Sequence, residues 1–121
     1  MVTQTPIPAK IIDDEKAAIR RLVDSLQKGY PAEVARVVLF GSKARGDFRA
    51  DSDIDLLVLV QHENWSLRNA IWLLAAAIEL DYDNVIFNIQ VIGVERWGQM
   101  SQAHFSLCQS VEQDGIVLSS R

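Results

Sequence analysis

Two short apolar runs and the polar stretch between them dominate the hydropathy pattern. Val37, Val38, Leu39 and Phe40 stop at Gly41-Ser42, ten mostly polar residues follow (Lys43 to Ser52), and Asp53-Ile54-Asp55 leads into a second run, Leu56 to Val60. Their length and β-branched content predict buried strands over Glu33–Phe40 and Asp53–Val60, and the Gly-Ser break predicts a turn. Elsewhere the period is helical. Ile11, Ile12, Ile19, Leu22, Val23 and Leu26 predict a helix over Lys10–Lys28, which Gly29 stops with Pro31 beyond. Trp65 to Asp81 predicts a second helix, with Leu67, Ile71, Leu74 and Ile78 in one stripe and Trp65, Trp72 and Ala76 in a neighbouring one. Core packing is the plainer account of both stripes, and a surface for another chain is the sharper account of the tryptophans.

The C-terminal third continues the alternation. Val85–Ile92 predicts a third strand, interrupted on one parity by Asn88 and Gln90. Glu95–Gln99 reads as a helical turn and Gln102–Gln113, with His104 inside it, as a helix. Gly115 then caps that helix before a short strand, Ile116–Leu118. Residues 1–9, with Pro6 and Pro8, read as a flexible tail ahead of a single domain over 10–121. The fold class this predicts is α/β (α+β): a small mixed sheet flanked by helices.

Composition narrows the function classes. At 121 residues the chain is one domain, and 49% apolar with 23% charged residues describes an ordinary soluble globule. A net charge of −4 argues against an extensive nucleic-acid surface. The lone Cys108 excludes an internal disulfide and reads as a small buried hydrophobe in a reducing compartment. The N-terminus lacks the apolar core of a signal peptide, and the longest apolar run, Ala70–Ile78, is too short to span a bilayer. The expectation is a cytoplasmic protein without membrane contact. The apolar second helix leaves self-association open.

The candidate chemistry lies at the Gly-Ser break. Gly41 lets a phosphate approach the backbone, whose successive N–H groups form an anion-binding concavity, and Ser42 adds a hydroxyl. A short helix starting near Ser42 would aim its first N–H groups at the same phosphate. Residues two apart on a strand share a face, so Asp53 and Asp55 point the same way. Two close carboxylates call for a counter-cation, and Mg²⁺ carrying nucleotide phosphates supplies one. Lys43 and Arg45 can counter phosphate charge, Arg45 with bidentate geometry. Asp47, Asp51 and Ser52 read as capping and turn residues.

The spacing Gly41-Ser42, ten residues, Asp53-Ile54-Asp55 resembles the signature of the polymerase β-like nucleotidyltransferase superfamily. The stretch GSKARGDFRADSDIDLLV looks like its minimal, single-domain branch. Four such positions coincide by chance on the order of 10⁻³ times in a chain of this length. The resemblance implies nucleotide binding by Gly41, Ser42, Lys43 and Arg45, and metal binding and catalysis by Asp53 and Asp55. It also implies transfer of a nucleoside monophosphate, AMP from ATP, to a hydroxyl. Active members add a third acid on the next strand. This sequence offers Asn88 and Gln90 there, with Gln90 the better match, and an amide cannot take a proton from an attacking hydroxyl. Asp81 and Asp83, at the junction of the second helix and third strand, are the acids that could partly compensate. Small members of the family are paired with a HEPN-domain partner as toxin and antitoxin, and some transfer AMP to a tyrosine of that partner.

Two function classes follow. One is a Mg²⁺-dependent nucleotidyltransferase acting on a partner protein. The other is a nucleotide-binding or protein-binding antitoxin, catalytically impaired, that acts by contact.

Overall fold

The computed structural model describes residues 7–49 and 52–120. Along them the chain forms α1 (Asp13–Gly29), β1 (Val34–Phe40), α2 (Gly41–Arg45), β2 (Ile54–Val60) and α3 (Trp65–Glu79). β3 (Phe87–Gly93), α4 (Val94–Gln102), α5 (Ser106–Asp114) and β4 (Ile116–Ser120) complete it. The strands form one mixed sheet in the order β3-β2-β1-β4. β1 lies antiparallel to both β2 and β4, whereas β2 and β3 are parallel. A tight hairpin cannot join a parallel pair, and α3 provides the crossover.

β1 and β2 read as near-continuous apolar runs because both faces of the sheet are covered. Val37, Leu39, Ile54, Leu56 and Val58 meet α1 and α3 through Ile19, Leu22, Leu26, Leu67 and Ile71. The alternate residues Val38, Phe40, Leu57 and Leu59 meet half-buried side chains of α4 and α5, among them Trp97, Met100 and Leu107. Burying each large aliphatic side chain contributes about 1.5–3 kcal/mol. The first face, which holds most of the fully buried ones, is therefore the dominant core.

The starts of α1 and α3 have local causes. α1 opens on Asp13, Asp14 and Glu15, three acids beside the positive helix terminus. Ile12, expected on the apolar stripe, is instead the N-cap residue and is exposed. Asn64 caps α3 by accepting a hydrogen bond from the Leu67 N–H at 2.7 Å. Of the predicted tail, residues 1–6 lie outside the described residues. Ile7 is half-buried against the core, and the Ile11 N–H donates to the Pro8 carbonyl at 3.2 Å.

Three expectations change. The helix predicted over Gln102–Gln113 does not start at Gln102, because α4 runs through that residue and the chain turns before α5. His104 makes the turn with φ +59, a conformation no helix accommodates. The Trp65/Trp72 stripe is not core: Trp65 is 73% and Trp72 48% exposed, whereas the Leu67/Ile71/Ile78 stripe is buried. The third strand starts at Phe87, since Ile86 is exposed and its carbonyl accepts from Ile54 N–H at 2.8 Å ahead of the ladder.

Candidate nucleotide site

β1 ends and α2 begins within a single step, Phe40 to Gly41. The register pairs Phe40 with Asp55, so the residue after Phe40 passes directly over the Asp55 side chain. Gly41 makes that passage at φ +73, and a Cβ built on it would overlap Oδ2 of Asp55. Left-handed backbone and zero side-chain volume are needed at the same position, and glycine alone supplies both. The predicted helix after Gly-Ser is α2, closed by Gly46 at φ +88, whose N–H donates to the Ser42 carbonyl at 2.8 Å.

Asp55 is half-buried on the second strand, and Asp53 stands exposed just before that strand begins. The buried residues Ile54 and Leu56 alternate with them into the α1/α3 face, which leaves Asp55 on the opposite one. The loop before the pair is tied by a reciprocal contact. The Arg49 N–H donates to Ser52 Oγ, and the Ser52 N–H returns a bond to the Arg49 carbonyl, each at 3.0 Å. Ser52 is thus a turn-closing residue, as its type suggested, while Asp51 lies outside the described residues.

The two basic candidates separate. Lys43 is not available to phosphate: its ammonium lies 2.9 Å from Glu15 Oε1 and 4.0 Å from the Phe48 ring centroid, and the residue is 1% exposed. α2 turns it inward, away from solvent, and Glu15 already neutralises it. Arg45 points outward, bonded to Asp47 at 3.1 Å and 3.9 Å from Asp114. The Asp47 hydrogen bond, then the negative charges of Asp47, Asp114 and Asp55, hold its guanidinium above the ordinary value. Of the two candidates, Arg45 is the one that remains at the surface, ion-paired with Asp47 and Asp114.

The parallel register decides which amide faces the acids. Asp55 pairs with Asn88, whereas Gln90 pairs with Leu57, two residues further along. The Asn88 side-chain amide donates to Asp55 Oδ1 at 2.9 Å. Of the two amides, Asn88 and not Gln90 is thus the one that meets Asp55. A slip of two keeps the face, so alternation alone could not choose between them. Asp81, considered as a compensating acid, is instead bonded to Arg21 at 2.9 Å.

Three α3 side chains fix the edge strand that carries Asn88. Glu79 accepts from the Phe87 N–H at 2.7 Å, Trp72 Nε1 donates to the Ile89 carbonyl at 3.2 Å, and Arg68 donates to the Val91 carbonyl at 3.1 Å. These bonds occupy backbone groups that an edge strand otherwise leaves open. A shallow groove of about 450 Å³ runs between the two elements, lined by Trp72, Ala76, Glu79, Phe87, Asn88 and Gln90.

The donor set fits a hard divalent cation. Among the described residues no group of three His, Cys, Asp or Glu side chains gathers. The Asp53/Asp55 pair would therefore hold Mg²⁺ only with phosphate oxygens and water completing the shell, which is the usual Mg²⁺ arrangement. Such an ion would supply charge neutralisation for the phosphates.

A four-stranded mixed sheet, entered by a helix straight from Gly-Ser and headed on the neighbouring antiparallel strand by an acidic pair, is the polymerase β-like nucleotidyltransferase fold. The chain belongs to the nucleotidyltransferase domain family, whose model matches residues 19–116. It is 41% identical over 46 residues to MJ0604 of Methanocaldococcus jannaschii, named as a candidate protein adenylyltransferase, covering 38% of this chain and 46% of that relative. The matched stretch thus spans under half the length of that curated relative. Among solved structures it is similar to a toxin–antitoxin complex with AMP-PNP, at 25% identity and TM-score 0.54, covering 91% of this chain and 75% of that one. It has the same fold as a chain from the complex of tri-AMPylated Shewanella oneidensis HEPN toxin with MNT antitoxin, at 22% identity and TM-score 0.53, covering 88% and 73%. No helix among the described residues is long and apolar enough to cross a membrane.

Proposed function

We propose that this chain is a Mg²⁺-dependent nucleotidyltransferase that moves AMP from ATP onto a hydroxyl of a HEPN-type partner protein, as the modifying antitoxin of a toxin–antitoxin pair. The observation that carries the reading is the close approach of Gly41 to Asp55, which sets the backbone turn we assign to phosphate against the carboxylate we assign to the metal. Asp53 and Asp55 hold the metal, the Gly41–Ser42 turn receives the phosphates, and Arg45 balances their charge. Catalysis on this plan is positioning and charge neutralisation. Support for the adenylyl group and for a protein acceptor comes from the adenylyltransferase-named relative and from the AMPylated toxin bound to a neighbour of the same fold.

The deciding experiment incubates the chain, purified with whatever accompanies it, with Mg²⁺ and ATP labelled at the α-phosphate. Label is expected on a companion protein and is lost when Asp53→Ala is combined with Asp55→Ala in a folded double variant. Undiminished labelling by that variant refutes the proposal.

A second reading draws on Asn88. With an amide bonded to Asp55 where an acid is expected, the site suits nucleotide binding better than proton abstraction. On this reading the chain silences its partner by contact, and the same double variant still binds and silences it.

A further inference from the structure

Lys43 leaves the phosphate chemistry, yet it is among the most buried side chains of the protein. Its partner Glu15 sits in the first turn of α1, 28 residues earlier, and their side chains are 1% and 3% exposed. Glu15 is in line with Ile19, Leu22 and Leu26 on the buried stripe of that helix, so α1 presents a carboxylate from within its apolar face. Phe48 closes the other side of the ammonium. The next residue of the loop to bend, Gly46, faces the Lys10 side chain, which a Cβ there would meet at 3.7 Å. The segment entering α1 and the loop after β1 are thus in contact at two points.

A buried ion pair is a weak source of net stability, since an apolar pair of the same volume often serves as well. Its distinctive property is intolerance of displacement, because either charge left alone in the core is strongly unfavourable. α2 has five residues, too few to hold its own position. The lysine lies two residues after Gly41, whose backbone must stay against the Asp55 carboxylate.

We propose that Glu15 is a positioning residue of the nucleotide site: through Lys43 it holds α2, and with it the Gly41–Ser42 turn, against Asp55. The role in nucleotide binding rests on the function proposed above. The tether itself does not.

The test combines amide hydrogen exchange with Mg²⁺–ATP affinity in the full chain, comparing the native protein with Glu15→Gln. Glu15→Asp, which keeps the charge but shortens the reach, is the second variant. Segments covering residues 41–46 are expected to exchange about tenfold or more faster in Glu15→Gln, with β2 unchanged and Glu15→Asp intermediate. Affinity for Mg²⁺–ATP is expected to fall by about tenfold, as a displaced turn loses its phosphate contacts. Unchanged exchange at 41–46 in folded Glu15→Gln overturns the tether, and so does a uniform rise across the chain, which would assign the pair to global stability. Raised local exchange with unaltered affinity overturns the positioning role. If the native chain binds no nucleotide while exchange responds locally, the tether stands and the nucleotide reading falls. Should Glu15→Gln fail to fold, the same outcomes are read from Glu15→Asp.

Discussion

Replacing Gly41 with alanine tests the site where it is most tightly built, and Gly46 supplies a matched control. Both glycines occupy left-handed backbone, at φ +73 and +88. An alanine there costs about 1–2 kcal/mol in backbone strain at either position. The surroundings differ. At 46 the new methyl group meets only the flexible Lys10 side chain, at 3.7 Å, an ordinary contact. At 41 it overlaps the Asp55 carboxylate, so either that carboxylate leaves its place beside Asn88 or the turn opens. Gly46→Ala is therefore expected to lower unfolding stability by about 1–2 kcal/mol and leave Mg²⁺–ATP affinity and transfer near native levels. Gly41→Ala is expected to lose a similar amount of stability plus the lost Asn88–Asp55 contact, about 1 kcal/mol more. Because the carboxylate has moved, transfer should fall about 100-fold, the scale of an ångström-sized misplacement. Urea unfolding and the α-phosphate label assay measure the two effects side by side. Equal losses of activity in the two variants would refute the argument, since they would show that the overlap with Asp55 does not matter.

Other expectations concern the amide and the core. Asn88→Asp sets a third carboxylate beside Asp55, so stability without metal should fall by like-charge repulsion, and Mg²⁺ should raise the melting temperature more than it does for the native chain. Gln90→Asp, opposite Leu57 rather than Asp55, should leave the Mg²⁺ response unchanged, and an equal response in both variants would contradict the register. Leu22→Ala removes a fully buried side chain of α1 and should cost about 2–5 kcal/mol in urea unfolding without altering the turn at Gly41. Trp72→Phe keeps an aromatic side chain but drops the indole N–H bond to the Ile89 carbonyl, and should cost about 1 kcal/mol while speeding amide exchange along β3.

The comparison of Lys43 with Arg45 shows where reading the chain succeeds and where it stops. Both looked like loop cations facing phosphate. Helical spacing inside α2 sends one into the core and leaves the other at the surface, and the length of that helix was not visible in a ten-residue polar stretch. Glu15 left a trace in the sequence, an acid in register with Ile19, Leu22 and Leu26, but its meaning depended on a partner 28 residues away. The tryptophan stripe of α3 had the period of a core face. Its exposure follows from which face of that helix the sheet claims, and hydrophobicity alone does not decide that.

The sequence by itself determined the first two strands, expected over Glu33–Phe40 and Asp53–Val60 and found at Val34–Phe40 and Ile54–Val60, with the turn between them, the glycine and the acidic pair. These follow from local physics: short continuous apolar runs rich in β-branched residues, backbone sterics at glycine, and the charge carried by neighbouring carboxylates. Only the tertiary structure decided that Asn88 rather than Gln90 meets Asp55, that Glu15 neutralises Lys43, and that the tryptophans stay outside. Each of these is a pairing between distant segments. A strand shifted by two residues keeps the same pattern of faces, so the choice falls to packing across the sheet and not to the periodicity of any one segment.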